Sequence, residues 1–156
     1  MLTRLLLLAA AVLFTAAGWG GDDAARLTDA QLANATYRGG VAPGGSLTLV
    51  DGRLEVSPPS GIGRVNATLI DARGFGRLHE DGAPDAAVVI ATNTGGSGTF
   101  FELFAVLNRQ GKSAPSPPVA LGDRVPVQSI EIADRQITVR LRSHAPNDPL
   151  CSRIRE

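Results

Sequence analysis

The residues best able to do chemistry lie between Arg77 and Asp85, in the string RLHEDGAPD. Calcium loops present hard oxygen ligands at alternate positions, often as D-x-[DN]-x-D-G, and the glycine allows a sharp turn. Asp81 and Gly82 match the last acid and the glycine of that pattern, and Asp85 follows. The first position is Arg77 and the third is His79. A guanidinium repels a metal ion, and an imidazole nitrogen is softer than an oxygen ligand. Asp81 and Asp85 are therefore the candidate calcium ligands. The competing expectation is a solvated turn in which Arg77 takes the metal's place by pairing with Asp81 or Asp85.

Other constellations dissolve on inspection. Gly95-Gly96-Ser97-Gly98 resembles neither a G-x-S-x-G elbow, because position 99 is Thr and a strand follows, nor a phosphate loop, which ends in Gly-Lys-Ser/Thr and opens a helix. It reads as a hairpin turn. His79 and His144 are far apart and lack zinc-ligand spacing. The single cysteine, Cys151, cannot form an intrachain disulfide and has no CxxC partner or adjacent His to favour a thiolate. Asn34-Ala35-Thr36 and Asn66-Ala67-Thr68 match glycosylation acceptors and are read as chance. No catalytic residue and no cofactor-binding residue is nominated. Calcium at Asp81 and Asp85 is the one cofactor weighed.

Several strings resemble, in combination, a group of uncharacterised exported bacterial proteins: LANATY (Leu32–Tyr37), DGAPDAAVVI (Asp81–Ile90), NTGGSGTF (Asn93–Phe100), LGDRV (Leu121–Val125) and APNDPLC (Ala145–Cys151). In that group the middle segment more often reads GDLNGDGxxDA, and the tail GPxDP followed by Cys. The resemblance implies export and carries no known activity. This chain departs from the group at Gly76-Arg77 and at His79-Glu80-Asp81, within the calcium-type string. The segment is also similar to the calcium-type loops of β-propeller repeats, but one copy cannot make a propeller.

Elements must hold these residues. Thr28 is a good N-cap, Asp29 suits the helix dipole, and Gln31 completes a capping box, so a short helix is expected within Leu27–Tyr37, with Leu27 and Leu32 as a hydrophobic staple. Residues 38–46 read as loop. Leu47–Val50 and Arg53–Val56 flank Asp51-Gly52, which predicts a type I′ hairpin with Leu49 facing Leu54 and Leu47 facing Val56. Pro58–Gly61 breaks the pattern, and Val65–Ile70 reads as a strand. Ala86–Ala91 and Phe100–Leu107, the latter polar only at Glu102, read as central strands covered on both faces. Residues 111–118 read as loop and Val119–Leu121 as a short strand. A last hairpin turns about Asp134-Arg135, and an irregular tail follows from about residue 143. The expected fold is mainly β (β-rich α+β): about eight or nine antiparallel strands, as a sandwich, barrel or bent sheet, with one short N-terminal helix.

The amino end sets the compartment. Arg4 precedes an apolar run, Leu5–Ala17, followed by glycines and two acids. A membrane span needs about 20 apolar residues, so residues 1–21 read as a signal peptide with Thr15-Ala16-Ala17 as one cleavage site. Residues 22–156 then form a single β-rich domain. No cysteine stands near the cleavage zone, so no lipid anchor is expected and no stable membrane anchor survives leader removal. The only lysine among fifteen basic residues is Lys112, a bias that suggests a bacterial source. Fifteen acids balance the bases. A near-neutral chain has no long-range field for nucleic acid. The expected function is a non-catalytic periplasmic or secreted module that binds an unknown protein or envelope partner. The alternatives are a calcium-stabilised module built on residues 77–85 and a hydrolase with an unrecognised site.

Overall fold

A strand that is apolar on both sides needs cover on both sides, and that requirement shapes the molecule. The computed structural model describes residues 26–57 and 63–142. The signal peptide, the Pro58–Gly61 break, and the tail with His144 and Cys151 lie outside the described residues. The fold is mainly β and antiparallel with one short helix, as expected, and its sheets do not close into a barrel.

In chain order the elements are α1 (Asp29–Ala33), β1 (Thr36–Arg38), β2 (Ser46–Thr48), β3 (Arg53–Val56), β4 (Val65–Gly76), β5 (Asp85–Asn93), β6 (Phe100–Arg109), β7 (Lys112–Pro115), β8 (Val119–Asp123), β9 (Val127–Ala133) and β10 (Gln136–Leu141). The central sheet runs β3-β4-β5-β6. Along the outer side of β6 lie both β8, against Phe100–Leu103, and β7, against Val106–Arg109.

Ala86–Ile90 of β5 is wholly buried. One face of the strand (Ala86, Val88, Ile90) joins Phe104 and Val106 beneath a layer made of α1, β1 and β2, which contributes Leu27, Leu32, Tyr37, Leu47 and Leu49. The other face (Ala87, Val89) joins Leu103 beneath the β9–β10 hairpin, which contributes Ile130 and Ile132. The capping box forms as expected: Thr28 Oγ1 accepts from Gln31 N–H at 3.2 Å, and Gln31 Oε1 accepts from Thr28 N–H at 2.8 Å. Tyr37 meets Phe104 edge to face at 4.9 Å and donates its hydroxyl proton to the Leu32 carbonyl.

Several expectations need correction. Asp51 and Gly52 do turn with positive φ (49° and 78°), but only the Val50–Arg53 bridge joins the two arms. β2 pairs with β1, whereas β3 pairs with β4. Leu47 and Leu49 are needed in the covering layer, and Arg53–Val56 completes the sheet edge, so the arms part. Lys112–Pro115 is a strand and not loop, because the Gln110-Gly111 turn (φ 53° and 81°) folds it back on β6. Thr36–Arg38 is also a strand. β4 runs to Gly76, well past Ile70. It pairs at Leu69↔Ile90 and again at Arg73↔Val88, which leaves Ile70, Asp71 and Ala72 bulged opposite Val89. The final hairpin stands as expected, turning on Asp134 and Arg135.

The hairpin layer reaches β4 through two glycines. A Cβ on Gly76 would lie 2.7 Å from Ile132 Cβ and from the Ile132 carbonyl oxygen, and one on Gly74 would lie 3.0 Å from the Ile130 carbonyl oxygen. Only a residue without a side chain admits β9 that closely. Gly76→Ala should therefore cost about 1–3 kcal/mol of unfolding free energy, the range for overpacking, with amide exchange in β9 accelerated. Urea unfolding that leaves the midpoint unchanged would show that this approach does not hold the hairpin.

Candidate functional site

Asp85 begins β5, and its side chain has no exposed surface. A carboxylate there must be met by donors, since a buried charge without partners is costly. Four N–H groups meet it. Oδ2 accepts from Leu78 N–H (2.7 Å), His79 N–H (3.3 Å) and His79 Nδ1 (2.8 Å), and Oδ1 accepts from Asn108 N–H (2.8 Å). The 77–85 loop is thus wound around its own terminal acid. Asn108, at the end of β6, also donates from Nδ2 to the Pro84 carbonyl (3.2 Å) and accepts from Gly111 N–H (2.8 Å), so it ties the loop to the β6–β7 turn.

The second acid completes the arrangement. Asp81 Oδ1 accepts from Ala83 N–H at 3.1 Å. Its Oδ2 lies 2.6 Å from His79 Nε2, an ion-pair contact without hydrogen-bond alignment. The imidazole therefore stands between Asp81 and Asp85. A carboxylate at each nitrogen favours the doubly protonated ring. The Asp85 hydrogen bond holds the His79 pKa above its ordinary value, against the opposing effect of burial, and the charges of both acids add to the rise. For Asp85, burial pushes upward, but the Asn108 N–H, the His79 imidazole and the Leu78 N–H together outweigh it, and the group sits below its ordinary value.

Sequence reasoning placed Asp81 and Asp85 at one site, and the structure brings them together. It also corrects the cation: His79 stands between them, and Arg77 makes no ion pair among the described residues. As folded, Asp85 offers a metal no free carboxylate face, and the imidazole would have to leave for calcium to bind. Among the described residues no group of three or more His, Cys, Asp or Glu side chains is arranged to hold a metal. Asn108 was missed, because the apolar strand pattern ended one residue before it. The signal was there in a polar residue preceding a Gln-Gly turn.

Acid–base chemistry needs an imidazole nitrogen facing a reacting group. Here both nitrogens face carboxylates, and no hydroxyl or thiol among the described residues is hydrogen-bonded to His79. Beside the loop, a cleft of about 580 Å³ lies against the β9–β10 turn, lined by Arg77, Glu80, Asp134 and Arg135 among others. Arg135 pairs with Glu80 at 2.8 Å. A second cleft of about 740 Å³ lies at the β4 bulge, where Asp29, Asp51 and Asp71 alternate with Arg53 and Arg73. In both, acids and arginines interleave, so neither concentrates one sign of charge.

No protein-family model matches the chain, no curated protein matches it, and no solved structure matches it.

The brace predicts a pH window. The raised His79 pKa contributes stability that is complete below the ordinary value of 6.5 and is lost as pH rises through the folded value. The lowered Asp85 pKa contributes stability that is present above the ordinary 3.8 and is lost as pH falls through the folded value. The melting-temperature deficit of His79→Gln should therefore be largest between these two values and shrink above 6.5; a deficit that stays as large well above 6.5 as it is between the two values would contradict the brace. Melts with added calcium and with EDTA should share one midpoint, and a midpoint raised by calcium would mean that the metal displaces the imidazole.

Proposed function

We propose that the chain is an exported, non-catalytic β module that acts in the periplasm or outside the cell, by binding a protein or envelope partner or as a structural element. The observation that carries the non-catalytic part is the use of His79. It is the one imidazole among the described residues, and both of its nitrogens are turned onto carboxylates that brace a loop. The leader pattern of residues 1–21 supports export. No helix among the described residues is long and apolar enough to cross a membrane.

The deciding experiment is fractionation of the natural host with N-terminal sequencing of the recovered protein. The reading expects a chain that starts after the apolar run, between about residue 17 and residue 25, found in periplasm or medium. Recovery from the cytoplasm with Met1 in place overturns it. Turnover of simple ester substrates that disappears in His79→Gln would overturn the non-catalytic part and revive the hydrolase reading.

A further inference from the structure

β6 is apolar along FFELFAVL except at Glu102, which is only 3% exposed. Its register partners are Ile90 in β5 and Ala120 in β8. It shares the face of β6 that carries Phe104 and Val106, and the loop from Gly39 to Gly45, between β1 and β2, closes over it. Val41 N–H donates to Glu102 Oε1 at 3.1 Å, while Oε2 has no partner among the described residues. Gly40 lies so close that a Cβ would fall 2.1 Å from Oε1 and 2.5 Å from Oε2. Thr92 lies diagonally across the β5–β6 register on the same face, and its buried Oγ1 is likewise unpartnered among the described residues. Buried polar atoms are nearly always satisfied in folded proteins, so two orphaned oxygens at one end of one face call for an explanation.

We propose that Glu102 and the Gly39–Gly45 loop form a proton-operated latch, in which the loop lies closed over the neutral carboxyl and lifts when the carboxyl ionises. A neutral carboxyl tolerates this burial with one hydrogen bond. A carboxylate does not, because one donor leaves half of its charge unsolvated. Burial raises the Glu102 pKa, and the Val41 hydrogen bond opposes the rise without cancelling it. Among the described residues no charged group bears on it. Ile90, Ala120, Gly40 and Val41 are uncharged; Arg38 at the end of β1 is exposed; Asp123 at the end of β8 accepts from Thr99 N–H and pairs with Arg124. Linkage then fixes the direction: if closure raises the affinity for a proton, removing the proton favours opening.

Few polar bonds tie the loop down, and Ala42 is its member of the buried core. Its own bonds, Gly39 N–H to the Gly45 carbonyl and Gly45 N–H to the Ala42 carbonyl, are internal. The one hydrogen bond from it to the central sheet among the described residues is the one from Val41 to Glu102. Gly39, Gly40, Gly44 and Gly45 all hold positive φ, and glycines regain the most backbone freedom on release. The latch does not depend on export and stands or falls separately from it.

The test is a carbon-13 titration of the Glu102 carboxyl together with pH-dependent amide exchange at Val41, corrected for intrinsic exchange chemistry. The expected midpoint lies above the ordinary 4.5. Val41 protection should drop across it by about tenfold for each unit of elevation. Glu102→Gln keeps an acceptor for Val41 but cannot ionise, so its protection should show no step, and its melting temperature should exceed wild type at neutral pH. Gly40→Ala, which keeps the loop from closing, should return the Glu102 midpoint toward 4.5. A wild-type midpoint at or below 4.5, unchanged Val41 protection across it, or the same step in Glu102→Gln overturns the latch. If Glu102→Gln does not fold, the coincidence of midpoint and step in wild type decides.

Discussion

A β-strand with no solvent on either face must be apolar throughout its middle and must settle every polar group at its ends. β5 is that strand. Ala86 to Ile90 satisfy the first demand by composition, and the layers above and below exist to cover them. Asp85 meets the second demand by drawing the preceding loop around itself. Leu78 and His79 approach from one side and Asn108 from the other, so the loop's shape follows from one carboxylate's need for donors.

Asp85 and Glu102 make an instructive pair. Both are buried acids on neighbouring strands, yet their proton affinities move in opposite directions. The number of donors separates them. Four N–H groups, one of them on the His79 ring, reward ionisation of Asp85, whereas the single amide at Glu102 does not offset desolvation. One acid is a fixed charge that organises a loop, and the other is a neutral group that a loop conceals.

Much of the architecture was legible because it rests on local chemistry. The capping box at Thr28 and Gln31, the unbroken apolar run from Ala86, and the alternation at Ile137, Val139 and Leu141 each announce one structure. The failures share one cause. Asp51-Gly52 specifies a turn, but a turn does not choose its sheet, and burial of Leu47 and Leu49 sent the two arms apart. The strand expected to end at Ile70 runs on to Gly76, since nothing in the local pattern shows that Ile130 and Ile132, more than fifty residues on, press against Gly74 and Gly76. At the candidate site, Asp81 and Asp85 were visible as acids at metal-like spacing. Which cation stands between them depends on how the loop's backbone winds on Asp85, and that winding brings in the His79 ring.

The parting of chain at Asp51 also governs the order of assembly. The amino-terminal layer holds only a two-stranded ribbon and one turn of helix, and its leucines find cover on β4, β5 and β6. A ribbon of that size has little stability by itself. The first thirty or so residues of the body therefore lack their full cover until Phe104 and Val106 of β6 have been synthesised, and these contacts are distant in sequence and slow to form.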